Sequence, residues 1–174
     1  GGRGGGGPGG GAMGAVVGRG GHSGGLGVSV RDMTGLAQKY GAVTGHLRFA
    51  RQSSEIHAVR VAAGGARLLL GCDLVVAASF DALAKVAKGA THAVINAHES
   101  PTGDFTRSAD LVFPGAELRA AVAGAVGADR CDFLDATRLA TALFGDAITS
   151  NLFMVGYAWQ KACFGCTIQV GHLF

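Results

Sequence analysis

Charge is scarce in this 174-residue chain: 16% of residues are Asp, Glu, Lys or Arg, against 48% hydrophobic. Such a composition argues against a disordered body, and so little charge implies that partners cover part of the surface. The formal net charge is only +3 and the Lys and Arg residues are scattered, so the chain lacks a nucleic-acid footprint. No apolar run approaches the roughly 18 to 20 residues that span a bilayer, and the N-terminus lacks the charged-then-apolar order of an export signal. The expected setting is cytoplasmic, with no membrane partner. Cysteine is limited to Cys72, Cys131, Cys163 and Cys166, for which reduced thiols are the expected state without export. Cys163 and Cys166 form a single C-x-x-C with no second pair, so a four-ligand zinc or iron–sulfur site is not expected. A Gly-x-Ser-x-Gly elbow, a Walker loop and a helical pair of histidines at i, i+4 are all missing, which leaves nucleophilic catalysis and a helical zinc site without support.

Alternation of strands and helices is what the chain does have. Its length suits one domain that buries roughly two thirds of its unfolded surface. Val28–Val30 is a short strand. Over 42–50 the residues Val43, Gly45, Leu47 and Phe49 alternate with Thr44, His46 and Arg48, a period of two that predicts a strand with one buried and one wet face. A further strand is predicted at 56–61, joined to it by the turn Arg51-Gln52-Ser53-Ser54 as an edge hairpin over 42–61. Leu68–Leu70 reads as the end of a short helix, and the apolar run 73–78 as a central strand buried on both faces. Ser79 caps the next helix and Gly89 stops it. Ala93–Ile95 is a strand, and after Pro114 the positions Leu118, Ala121, Val122, Ala125 and Val126 mark one face of a helix. Asp132–Leu134 is a strand, Asp135 caps a helix through Phe144, and a last helix runs from about Ile148 to Trp159. Together these predict an α/β fold with a mostly parallel sheet and right-handed crossovers.

Residues 1–26 are about half glycine and read by composition as a flexible arm. A second reading finds G-x-G-G-x-G in Gly4, Gly6, Gly7 and Gly9, a loop that lets backbone amides and a helix N-terminus approach an anion. Such a match arises easily in a glycine-rich tract, and Gly18, Gly20 and Gly21 would weaken the helix that follows by up to about 1 kcal/mol each. A third reading takes 1–26 as a degraded first strand and helix, because GC-rich codons read out of frame yield Gly, Arg and Ala.

Ligands of open α/β sheets bind beyond the carboxyl ends of the strands. Three places qualify: the glycine loop, the 32–41 segment and the 98–104 loop. In the second, Thr34, Gln38 and Lys39 offer a hydroxyl, an amide and an ammonium suited to phosphate or carboxylate, or else only satisfy the loop's own backbone. In the third, His98 and Glu99 are adjacent, and neighbours in an extended chain point apart, so a solvated loop is favoured over an acid–base pair. His46 and His57, placed on strands, read as surface or satisfied core residues.

The words DMTGLAQKYGAVTGHLRFA (32–50), GCDLVVAAS (71–79), HESPTGDFTRSADLVFPGAELRAAV (98–122), DFLDATRLATALFGD (132–146) and SNLFMVGYAWQK (150–161) carry a more specific signal. They resemble the gamma subunit or domain of the 2-oxoacid:ferredoxin oxidoreductases, also known as the pyruvate/ketoisovalerate oxidoreductase catalytic domain, and look most like the indolepyruvate branch. The resemblance covers 27–161 and implies a Rossmann-like three-layer fold. It leaves 162–174 as an atypical tail and implies a glycine loop at about the position of Gly4–Gly9. The implied reaction converts a 2-oxoacid such as indolepyruvate, coenzyme A and oxidised ferredoxin into acyl-coenzyme A, carbon dioxide and reduced ferredoxin. Thiamine diphosphate and iron–sulfur clusters would serve the holoenzyme from other subunits or domains, which are the implied partners, with ferredoxin reached through them. This chain would bind no cofactor firmly, would be inactive alone, and would shape the coenzyme A approach through Gly4, Gly6, Gly7, Gly9, Thr34, Gln38 and Asn151. The alternative is a stand-alone Rossmann-like module that binds a nucleotide or coenzyme A without redox activity; a non-functional remnant is the third option.

Overall fold

The computed structural model describes residues 10–34, 43–58, 60–99, 113–161 and 168–172. Its helices are α1 (Gly10–Ser23), α2 (Leu74–Ala77), α3 (Phe80–Leu83), α4 (Gly115–Val126), α5 (Ala136–Phe144) and α6 (Ser150–Gln160). Its strands are β1 (Gly27–Thr34), β2 (Val43–Ala50), β3 (Leu68–Gly71), β4 (His92–Asn96), β5 (Cys131–Leu134) and β6 (Ile168–His172). They form one sheet in the order β1-β2-β6-β3-β4-β5. The pairs β6–β3, β3–β4 and β4–β5 are parallel, whereas β1–β2 and β2–β6 are antiparallel.

Helices cover both faces, which makes the fold a Rossmann-like three-layer α/β arrangement. Strand alternation sorts the core. Leu47, Leu68, Leu70 and Val94 face Ala136, Met154 and Ala158 on one side. Leu69, Ala93 and Ile95 face Leu74, Ala77, Ala82, Val122 and Val126 on the other. Val122 and Val126 are fully buried, as the stripe on α4 predicts. Ser79 caps α3 by accepting from the Ala82 N–H, and Asp135 caps α5 by accepting from the Arg138 N–H at 2.9 Å. Gly145 ends α5 in the left-handed region at φ 79°.

Several local expectations are corrected; one is that the helix capped by Ser79 ends at Leu83, well before Gly89. Leu68–Leu70 is the buried central strand, not a helix end, and the apolar run after it is helix α2, capped by Asp73 through the Val76 N–H at 2.9 Å. A continuous apolar run has no period, so helix and strand cannot be told apart within it. The close approach of this pair is built in at Gly71, where a Cβ would sit 2.7 Å from both Ala77 Cβ and Ile95 Cδ1. The antiparallel hairpin lies one strand earlier than 42–61: β2 pairs with β1, and no strand forms over the described part of 56–61. There Arg48 donates to the Ala58 carbonyl at 2.7 Å, and the Val61 N–H donates to the His46 ring at 3.0 Å, so side chains of β2 take the place of a ladder. This covers His46, only 3% exposed, on the face of β2 expected to be wet. Within 162–174, β6 lies between β2 and β3 in the middle of the sheet; the C-x-x-C at 163–166 lies outside the described residues.

Residues 10–23 are helical despite their glycines. A Cβ on Gly18 would lie 2.8 Å from Val30 Cγ2, and one on Gly21 would collide with the Phe49 ring and approach Val28 Cγ2 at 3.1 Å. Later helix residues therefore meet earlier residues of β1, so α1 runs antiparallel to β1 and packs closely on the β1–β2 hairpin. At Gly20 a Cβ would meet nothing within 4 Å.

Candidate functional site

The carboxyl ends of β3, β4 and β5 converge on one buried side chain. Asn96, the last residue of β4, is 5% exposed. Its amide nitrogen donates to the Cys72 carbonyl beyond β3 at 3.3 Å and to Thr137 Oγ1 on α5 at 2.9 Å. Its oxygen accepts from the backbone N–H of His98 at 3.2 Å and from that of Ala136, the first residue of α5, at 3.0 Å. A primary amide has two donors and a carbonyl with two lone pairs, and Asn96 uses all four. A buried polar network satisfied in this way fixes the relative positions of three strand ends.

His98 and Asp135 sit on that frame. His98 Nδ1 lies 3.1 Å from Asp135 Oδ1, with 40% and 36% of the side chains exposed. Glu99 turns elsewhere: its carboxylate lies 3.8 Å from Arg119 and against Gly115, where a Cβ would come within 2.7 Å of Oε1. Arg119 also donates to the Ala97 carbonyl at 3.4 Å. His98 and Glu99 therefore point apart, as their adjacency predicts. The partner of His98 is Asp135, 37 residues away, and local reasoning missed it because only the parallel pairing of β4 with β5 brings the two strand ends together.

The two described cysteines contribute no reactive group here. Burial, reinforced by Asp73, pushes the Cys72 thiol up to about 12, and burial also raises Cys131 beside Asp132 and Asp129. Among the described residues no group of three His, Cys, Asp or Glu side chains is placed to hold a metal ion. The described residues thus offer no donor set that fits a metal–sulfur cluster.

Thr34 closes β1, and β1 runs parallel to β6 and β3 because two antiparallel steps separate it from them. Thr34 thus lies at the same end of the sheet as Asn96, four strands away and about 19 Å distant at the usual strand spacing. The antiparallel run of α1 directs its N-terminus to that end as well. Asn151 is half-buried in the first turn of α6. Gln38, Lys39, Gly4, Gly6, Gly7 and Gly9 lie outside the described residues, as does the loop beyond Glu99 through residue 112.

A second feature is apolar. Phe144, Thr149, Leu152, Phe153, Gly156 and Tyr157 line a groove of about 540 Å³ where α5 meets α6. Leu143, Phe144, Ile148 and Leu152 beside it are 54 to 68% exposed. The expected helices are present, but this part of their apolar surface faces outward instead of the sheet.

Residues 2–168 match the family model described as pyruvate ferredoxin/flavodoxin oxidoreductase. The chain belongs to the pyruvate ferredoxin/flavodoxin oxidoreductase family. Within it the chain is the gamma-type domain of a 2-oxoacid:ferredoxin oxidoreductase, a part of a larger oxidoreductase. Comparison with curated proteins and with solved structures returned no match. No described helix of this oxidoreductase domain is long and apolar enough to cross a membrane.

Proposed function

We propose that this domain serves an oxidoreductase of the indolepyruvate or arylpyruvate type, which decarboxylates the 2-oxoacid, passes its electrons to ferredoxin and releases acyl-coenzyme A. The word-level likeness of 32–50 and 98–122 to the indolepyruvate branch supports that substrate class. Thiamine diphosphate and the iron–sulfur clusters belong to the remainder of the holoenzyme and supply its carbanion and electron chemistry. This chain is its structural, coenzyme A-side domain. Gly4, Gly6, Gly7, Gly9, Thr34, Gln38 and Asn151 are the proposed contacts, supported for Thr34 by its place at the carboxyl end of the sheet.

The observation that carries a dependent role is the uncharged groove on α5 and α6. Its occupant in this reading is the thiamine-binding part of the same oxidoreductase, because a face this apolar is covered in a working assembly. Affinity capture from the host tests it. The wild-type chain should retain the thiamine- and iron-bearing polypeptide, or elute as one fused chain with it. Leu152→Asp should loosen that contact by at least tenfold or, in a fused chain, expose the joint to proteolysis. The chain alone should not reduce ferredoxin with indolepyruvate. Turnover by the isolated chain, or an assembly unaffected by Leu152→Asp, would refute the role assigned to this face. An assembled enzyme that uses pyruvate and rejects indolepyruvate would refute the substrate class.

A further inference from the structure

The polar rim at the strand ends has more order than a solvated loop needs. An ionised carboxylate only accepts, so across the 3.1 Å contact with Asp135 the proton sits on His98 Nδ1. That tautomer leaves Nε2 as a hydrogen-bond acceptor. Asn96 fixes both ends of the pair, through the His98 N–H and through the N–H of Ala136 next to Asp135. Of the charged neighbours, Glu99 faces Arg119, while Arg138 shares the Asp135 carboxylate: its backbone N–H donates to Oδ1 at 2.9 Å and its Nε approaches Oδ2 at 3.7 Å. A base oriented by a carboxylate, itself positioned by a buried amide and open to solvent, has the geometry of a proton-transfer group. Among the described residues the nearest thiol, Cys72 at the adjoining strand end, is buried and stays protonated.

We propose that His98 accepts the proton of a thiol substrate bound beyond the carboxyl ends of β4 and β5, with Asp135 and Asn96 as positioning residues. This rests on the reading above that the reaction delivers an acyl group to coenzyme A. A free alkyl thiol titrates near pH 8.5, so at neutral pH most of it is protonated and a poor nucleophile. In the proposed step the S–H bond breaks, its electron pair stays on sulfur and the proton moves to His98 Nε2, leaving a thiolate and an imidazolium. Asp135 keeps its charge and stabilises the imidazolium, which returns the proton to solvent through its exposed edge. Nothing is oxidised or reduced in this step.

The test uses the assembled oxidoreductase with coenzyme A as acceptor. His98→Ala and His98→Gln should each lower kcat at saturating coenzyme A about 100-fold, the lower range for a lost general base. Added imidazole should restore part of the rate in His98→Ala, where space is opened for it, and none in His98→Gln. A purely structural role would give a deficit without rescue. Wild-type rates in either variant, or a deficit in His98→Ala that imidazole does not relieve, overturn the inference. Should one variant fail to assemble, the other carries the measurement. If the wild-type assembly oxidises the 2-oxoacid but never forms acyl-coenzyme A, the parent reading fails and this one with it. If it forms acyl-coenzyme A and the His98 variants match it, this inference alone fails.

Discussion

Asn96→Ala is the most informative single change. It removes an acceptor from the buried Ala136 N–H, for which leaving a buried donor unpaired costs about 1–3 kcal/mol. The bonds to Cys72, His98 and Thr137 are only partly buried, so water replaces part of each and their net loss is about 0.5 kcal/mol apiece, the low end of the usual range. The sum, about 3 kcal/mol, is a large fraction of the roughly 5–15 kcal/mol that stabilises a domain. With a urea slope of about 1–3 kcal/mol per molar, the midpoint should fall by about 1–3 M. Far-UV circular dichroism reads it, because every element tied by Asn96 contributes to that signal. Thr137→Val, alone and combined with Asn96→Ala, should show a coupling of at least about 0.5 kcal/mol, as expected for members of one network. A midpoint shift below about 0.3 M with no coupling would mean that the four hydrogen bonds do not act together, and the account of the rim as a rigid frame would be wrong.

Other outcomes follow from particular residues. Gly20→Ala, which adds a Cβ in open space on α1, should stabilise by up to about 1 kcal/mol, whereas Gly21→Ala, which drives a Cβ into Phe49, should destabilise; equal effects by thermal melting would contradict the packing of α1 on β1–β2. The His46 pKa is lowered by burial and further by Lys85 and Arg60, so the unfolded chain binds the proton more readily than the folded one. Its contribution is therefore complete above the unfolded value near 6.5 and is lost as pH falls below it. Stability measured between pH 7.5 and 5 should fall more steeply in wild type than in His46→Gln. Native Cys72 and Cys131 should resist iodoacetamide at pH 8 and react once urea unfolds the protein, as mapped by peptide mass; rapid native labelling would contradict their raised pKa values.

Local rules suffice wherever a residue and its consequence are neighbours. Asp135 and Ser79 as caps and the Val122/Val126 face of α4 are each decided within a turn or two, and the structure has them, whereas Gly89 does not stop α3, which already ends at Leu83. Where the deciding partner is distant, the same rules fall short. Nothing inside Leu68–Leu70 or Leu74–Ala77 says which is strand, since both are apolar throughout. Register beside β4 and β6 makes the first run the strand, and the closeness permitted by Gly71 seats the second on the sheet. The glycines of α1 look like a liability until Val30 and Phe49 appear opposite Gly18 and Gly21.

By itself the sequence determined the family, the alternation of strands and helices and the starts of α3, α4 and α5, because these are written in words and spacings of a few residues. Only the tertiary structure decided that His98 belongs with Asp135 and that Asn96 joins three strand ends. It also decided that α5 and α6 turn an apolar face outward. Each of these depends on which strands lie side by side, and residues tens of positions apart become neighbours only when the sheet forms.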